Sequence, residues 1–250
     1  MPEPLLTIDG ITKTFHVGTQ DVQVLKGISF TIEKGDFMVI FGPSGCGKST
    51  LLHQLLGLEE PTTGSVTILG KNIYNGWLED DRSEFRKEHI GMVYQQPNWI
   101  KSLTVAENVS FPLLLLGTEK AQAQTLALEE LKVVNMQDWA GYLPGELSSG
   151  QQQKVSLARA MITNPEIIVA DEPTGNLDFE SGEELMKLLV PLTQNGKTVI
   201  MVTHDLEYLK YATRALKMFD GLVTEHFEGK DIIKKALKQI QTKRVDLKVQ

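Results

Sequence analysis

The organisation of this chain follows from one run of residues, Gly42-Pro43-Ser44-Gly45-Cys46-Gly47-Lys48-Ser49-Thr50. The apolar residues 37–41 precede it and predict a buried strand, and residues 51–56 after it have the apolar face of a helix. Glycine permits backbone angles that aim successive N–H groups at a phosphate chain, and a helix start adds a positive dipole end. The spacing Gly-x4-Gly-Lys-Ser therefore predicts that residues 42–50 bind a nucleoside triphosphate.

Two side chains of this loop are expected to carry chemistry. Lys48 would reach the β- and γ-phosphates as a point charge, and the Ser49 hydroxyl would coordinate Mg²⁺. The alternative is a glycine-rich turn whose lysine binds no phosphate. The strand and the helix predicted on either side of it would then occur there by chance.

The composition is that of an ordinary globular protein. The 250 residues are 41% hydrophobic and 23% charged, and the net charge of −7 argues against a nucleic acid partner held by a broad basic surface. The single cysteine, Cys46, excludes an internal disulfide and suits a reducing cytosol. Neither a signal peptide nor an apolar run of about 20 residues is visible, so we expect any membrane role to come through a partner.

Residues 5–15 and 22–32 alternate loosely and predict antiparallel strands ahead of the loop. Phe15 in the first of them is a candidate platform for adenine, and a plain core phenylalanine is the alternative.

Beyond residue 97 the pattern becomes helical, in residues 103–109 and 118–136, which predicts a helical insertion. The apolar residues 111–117 would pack inside this insertion or dock a partner. The charged residues 75–89 fit a solvated helix or a loop.

Polar side chains follow three predicted strands, where ligands collect in α/β sheets. Gln95 would touch Mg²⁺ or the attacking water. Asp171 and Glu172 follow the apolar residues 167–170; Asp171 would hold Mg²⁺ and Glu172 would polarise a water for attack on the γ-phosphate. His204 would hydrogen-bond the γ-phosphate, although a structural histidine is the alternative.

The sequence Leu147-Ser148-Ser149-Gly150-Gln151 opens a predicted helix that runs to about Ile162, with Ser148 as N-cap. This helix start is either a second phosphate site or a simple cap. After residue 229 the chain turns basic, which predicts a frayed terminal helix or a contact with an anionic membrane or an acidic partner.

Together these motifs resemble the ATP-binding cassette (ABC) ATPases, over about residues 5–225. The Walker A motif is 42–49, the Q-loop Gln95, the signature 147–151, the Walker B motif 167–172, the D-loop 176–178 and the switch histidine His204. The resemblance implies an α/β P-loop NTPase fold with a mostly parallel core sheet. Its core would comprise residues 1–95 and 163–228 with an N-terminal antiparallel β subdomain, its helical subdomain residues 96–162, and its basic tail residues 229–250.

The resemblance also implies a head-to-tail homodimer with ATP and Mg²⁺. Each ATP would lie between the Walker A loop of one subunit and Ser148, Ser149, Gly150 and Gln151 of the other, with the D-loop residue Asp178 nearby. Ser149 stands where the family has glycine, which leaves the hydrolysis rate open.

Residues 103–109, 143–147 and 151–154 are most similar to the branch that serves lipoprotein release, macrolide export and FtsX-like permeases. The expected protein is a transport-coupled ATPase on the cytoplasmic face of the inner membrane, bound to a transmembrane permease. A divisome-type regulatory cassette and a soluble ABC ATPase without transport are the alternatives.

Overall fold

The structure is a computed structural model that describes residues 4–229 and 233–234. The described residues divide into two compact units, the first up to residue 76 and from residue 200 onward, the second from 77 to 199. The helix predicted in the basic tail lies almost entirely outside the described residues.

The order of the helices and strands along the chain begins with three strands. Up to residue 76 they are β1 (Leu6–Val17), β2 (Gln20–Ile32), β3 (Phe37–Phe41), α1 (Lys48–Leu55), β4 (Thr63–Ile68) and β5 (Lys71–Asn72). The second unit contains α2 (Glu79–His89), β6 (Ile90–Tyr94), α3 (Val105–Leu115), α4 (Lys120–Val133), α5 (Ser149–Met161), β7 (Ile167–Asp171) and α6 (Phe179–Gln194). Strand β8 (Thr198–Thr203) spans the unit boundary, and β9 (Arg214–Phe219) and β10 (Leu222–Glu228) follow. No helix in the described part of the chain has the length and apolarity that crossing a membrane requires.

An antiparallel sheet in the first unit has the strand order β2-β1-β4-β5. Strand β1 pairs with both β2 and β4, so that Leu6 lies opposite Ile32 on one side and Ile68 on the other. At the start of β1, Leu6 and Ile8 are buried and Thr7 between them is less so, which is the period-2 pattern of a strand with one face in the core. The predicted antiparallel β strands are confirmed.

A second set of strands in the first unit has the order β10-β9-β3-β8 and carries the phosphate loop. All five residues of β3 are buried, as expected for a strand covered on both faces. Strand β3 is parallel to β9, with Met38 opposite Arg214, and β9 is antiparallel to β10. The loop therefore begins at the carboxyl end of a rigid central strand.

In the second unit β6 and β7 are parallel, with Ile90 opposite Ile167 and Tyr94 opposite Asp171. Helix α5 packs against β6, and helices α3, α4 and α5 pack against one another. The helical insertion is thereby confirmed as a feature of the fold, and the charged segment 75–89 forms helix α2 from residue 79 onward.

Helix α3 is longer than the pattern predicts, because it continues through Pro112 to Leu115. Segment 111–117 is therefore mostly helix rather than a junction. Its side chains point both ways, since Leu113 is 8% exposed whereas Leu115 is 56% exposed. Only one face of this segment packs inside the insertion.

We expect Gly91→Ala to destabilise the second unit. A Cβ at Gly91 in β6 would lie 2.1 Å from the Ala160 carbonyl oxygen of α5 and 2.8 Å from Ile168 Cδ1, so α5 would have to move off the strand. Such overpacking costs about 1–3 kcal/mol or more. Urea denaturation followed by circular dichroism measures the loss.

Gly141→Ala is the matched control, because a Cβ at Gly141 would have no atom within 4 Å. We expect its free energy of unfolding to stay within about 0.5 kcal/mol of the parent. Equal midpoints for the two variants would contradict the close approach of α5 to β6.

Candidate functional site

The loop between β3 and α1 forms a cradle around a buried lysine. Lys48 is 7% exposed, and its Nζ donates to the Gly42 carbonyl at 2.9 Å and to the Pro43 carbonyl at 3.0 Å. These bonds hold the ammonium beside the loop backbone, while residues 43–45 are open to solvent. A fixed cation among the N–H groups of a helix start is a site for a polyphosphate.

Two glycines of the loop are required by geometry. Gly47, which precedes α1, has φ of 101°, a conformation that side chains rarely adopt. A Cβ at Gly42 would lie 2.2 Å from the Met218 carbonyl oxygen of β9. Cys46 is buried beside them, which agrees with a structural position for its thiol.

Two further predicted residues lie in the first unit. Phe15 is half-buried on β1, where it pairs with Val22 of β2. His204 is exposed directly after β8, at the start of a turn that is fixed by a 3.0 Å bond from Asp205 N to Thr203 Oγ1. Both side chains are accessible to a ligand.

The carboxylates Asp171 and Glu172 stand at the carboxyl end of the buried strand β7. Glu172 has φ of 46°, a left-handed backbone angle that is uncommon outside glycine. The turn behind it is closed by a 3.0 Å bond from Gly175 N to the Glu172 carbonyl. Strained backbone of this kind clusters at functional sites, where it fixes a side-chain direction.

Gln95 lies beside this turn. It follows Tyr94, which pairs with Asp171 in the parallel register of β6 and β7. A Cβ at Gly175 would lie 2.8 Å from Gln95 Nε2, so this glycine makes room for the amide. The structure thus brings together Gln95, Asp171 and Glu172.

Ser148 caps helix α5 as predicted. Its Oγ accepts from Gln151 N at 3.3 Å, while Gln151 Oε1 accepts from Ser148 N at 2.9 Å, a reciprocal capping box. Ser149 is the first helical residue and is exposed. It adopts ordinary helical backbone, so its side chain brings no backbone strain to this position.

The D-loop residue Asp178 caps the next helix, α6. Its Oδ1 accepts from Ser181 N at 2.7 Å, and this bond lowers the pKa of the Asp178 carboxyl. A Cβ at Gly150 would lie 2.9 Å from Ser181 Oγ, so the starts of α5 and α6 approach each other closely at this glycine.

The sequence did not predict the residues that connect the Q-loop residue Gln95 and its neighbours to helix α5. Gln153 is 2% exposed, and its Nε2 donates to the carbonyls of Tyr94 at 2.9 Å and Gln95 at 2.8 Å. Trp99 Nε1 donates to Gln152 Oε1 at 2.9 Å, and the Arg159 guanidinium lies 4.4 Å from the Trp99 ring centre. Burial lowers the pKa of Arg159. The run of three glutamines after Gly150 was the one sequence feature that could have indicated these contacts.

The three residues predicted to coordinate Mg²⁺ each carry an oxygen donor. The described residues contain no cluster of three or more His, Cys, Asp or Glu side chains that could hold a metal ion. The candidates supply one hydroxyl (Ser49), one carboxylate (Asp171) and one amide (Gln95). Mg²⁺ prefers such sparse oxygen donors when phosphate oxygens and waters complete its shell.

The family model for "ABC transporter" matches residues 25–175. An uncharacterised ABC transporter ATP-binding protein of Methanocaldococcus jannaschii is 42% identical over 221 residues, which cover 88% of this chain and 98% of that protein. The macrolide export ATP-binding/permease protein MacB of Chlorobium luteolum is 43% identical over 88% of this chain. The chain spans about a third of the length of MacB, since the match covers 33% of it.

Solved structures agree with these relatives. The ATP-binding cassette MJ0796, in a dimeric post-hydrolysis state bound to ADP and Pi, has a TM-score of 0.83 and 38% identity. That match covers 90% of this chain and 98% of MJ0796. This chain therefore belongs to the ABC transporter family, in which it is an ATP-binding cassette that hydrolyses ATP.

Proposed function

We propose that this cassette powers a membrane permease of the macrolide-export or lipoprotein-release type. The observation that carries the proposal is the match to MacB, whose name joins an ATP-binding part to a permease part. This chain is similar to one third of that protein, and in our proposal it acts together with a permease in the same way.

In this proposal the first unit binds the nucleotide. Residues 42–50 wrap the phosphates, Lys48 neutralises the β- and γ-phosphates, and Phe15 stacks on adenine. His204 donates a hydrogen bond to the γ-phosphate. The buried side chain of Lys48 and the solvent exposure of residues 43–45 support the assignment of the phosphate site.

Two further residues are proposed to act in hydrolysis. Glu172 accepts a proton from the attacking water, and Gln95 orients that water. The left-handed backbone at Glu172 and the packing of Gln95 against Gly175 support these roles, because both restrict where the side chains can point.

Ser49, Asp171 and Gln95 are the residues that would hold Mg²⁺. When bound, the ion would neutralise charge on the phosphate oxygens. The protein would contribute a hydroxyl, a carboxylate and an amide.

Two copies would assemble head to tail around two ATP molecules. The start of α5, with Ser148, Ser149, Gly150 and Gln151, would contact the γ-phosphate held by the other copy, and Asp178 would lie near the contact. The accessible capped helix start of α5 supports this arrangement. The dimeric structure of MJ0796 supports it independently.

In this proposal the chain has the three parts that the sequence predicts. Residues 1–95 and 163–228 would act as the RecA-like core, 96–162 as the helical subdomain and 229–250 as an appended tail. The exposed residues Leu115 and Leu116 at the end of α3 would contribute to permease contact. The complex would lie on the cytoplasmic face of the inner membrane.

Co-purification tests the proposal. The tagged chain would be isolated from detergent-solubilised membranes of its native host, and the co-purifying proteins identified by mass spectrometry. We expect a permease in the complex, and ATPase activity that changes when the complex is reconstituted in liposomes. Recovery of nucleic acid or ribosomes without a membrane protein would refute it.

A further inference from the structure

Lys13 lies directly over the ring of Phe15. Its Nζ is 5.0 Å from the ring centre, and the two residues are separated by one position on β1, so they share a face of the sheet. An ammonium at this distance is attracted by the π face of the ring. The Lys13 side chain is 13% exposed, so this cation is largely withdrawn from solvent.

The Lys13 ammonium is fixed by the segment that follows helix α1. Its Nζ donates to the Glu60 carbonyl at 2.7 Å and pairs with the Glu59 carboxylate. That segment is tied to the helix, because Glu59 N donates to the His53 carbonyl at 3.2 Å. One lysine therefore links the end of the phosphate-loop helix to the candidate base platform.

We propose that Lys13 is a positioning residue for the nucleotide base, which acts by holding the Phe15 ring. This inference rests on the proposed stacking of adenine on Phe15. A phenylalanine has no polar atom by which a hydrogen bond could fix its ring. The ammonium covers one face of the ring and orients it, so that the opposite face is ready to receive the base.

Lys13→Met tests the proposal, because methionine keeps much of the apolar stem and removes the charge. We expect the KM for ATP to rise about threefold to tenfold, with kcat within about twofold of the parent. Affinity for inorganic triphosphate, which has no base, is expected to stay unchanged in a calorimetric titration. Lys13→Arg retains a cation over the ring and should restore the parent KM.

Two further variants test whether Lys13 acts through the Phe15 ring. Glu59→Gln removes the ion pair but leaves the Lys13 ammonium and its bond to the Glu60 carbonyl, so we expect little change in KM. In a Phe15→Ala background, Lys13→Met should have no additional effect on KM, since the ring through which it acts is gone.

The outcomes distinguish failure of the inference from failure of the base platform. If Phe15→Ala raises the KM but Lys13→Met does not, Lys13 is no positioning residue and the platform stands. An equal loss of triphosphate affinity in Lys13→Met would also overturn the inference. If Phe15→Ala leaves the KM unchanged, the platform itself is wrong.

Discussion

Glu172→Gln is expected to lower the ATPase rate by about 10²- to 10⁴-fold, the contribution typical of a general base. Glutamine keeps the shape and hydrogen-bonding reach of glutamate but cannot accept the proton of the attacking water. The fold should persist, because the side chain keeps its size and the turn that follows is closed by a backbone bond from Gly175 N to the carbonyl of residue 172. Steady-state phosphate release measures the rate.

Nucleotide affinity provides the control for this variant. We expect the Kd for ATP to stay within a few-fold of the parent, because Glu172 acts on the water and not on the nucleotide. Hydrolysis at the parent rate would show that another group accepts the proton. A loss of ATP binding would instead indicate that Glu172 supports the structure of the site.

Lys48→Ala is expected to weaken ATP binding by about 100-fold. The variant removes a cation whose hydrogen bonds to phosphate oxygens are charge-assisted, each worth about 1.5–3 kcal/mol. In the described structure this ammonium is bonded to the Gly42 and Pro43 carbonyls, and we expect it to exchange those partners for phosphates. Calorimetric titration with ATP measures the change.

Lys71→Ala is a matched control on the surface of the same unit, because Lys71 lies on β5 outside the loop. Its Kd for ATP should equal that of the parent. Circular dichroism should report the same fold for both variants. Unchanged ATP binding in Lys48→Ala would contradict the assignment of the phosphate site.

Short-range patterns predicted much of this fold. The apolar runs of β3 and β7 identify strands buried on both faces, and the glycines between β3 and α1 identify the loop. The Ser148 cap was also predictable, because an N-cap depends on residues within one helical turn. Features of this kind are local in sequence, so a single chain suffices to recognise them.

Other features depend on contacts that are distant in sequence. Glutamate usually avoids left-handed backbone angles, so nothing in the sequence predicts the angle at Glu172. The bonds from Gln153 to the Tyr94 and Gln95 carbonyls join segments nearly 60 residues apart. Helix α3 continues through Pro112 because tertiary packing, here of the buried Leu113, outweighs the usual tendency of proline to end a helix.

The head-to-tail dimer is the central claim, and sedimentation of Glu172→Gln with saturating ATP and Mg²⁺ tests it most directly. We predict a dimer with ATP, a monomer with ADP, and a monomer with ATP when Ser148→Arg is added, because the arginine would obstruct the contact of α5 with the partner's nucleotide. A species that binds ATP but stays monomeric at every concentration, or a dimer indifferent to Ser148→Arg, would contradict the account.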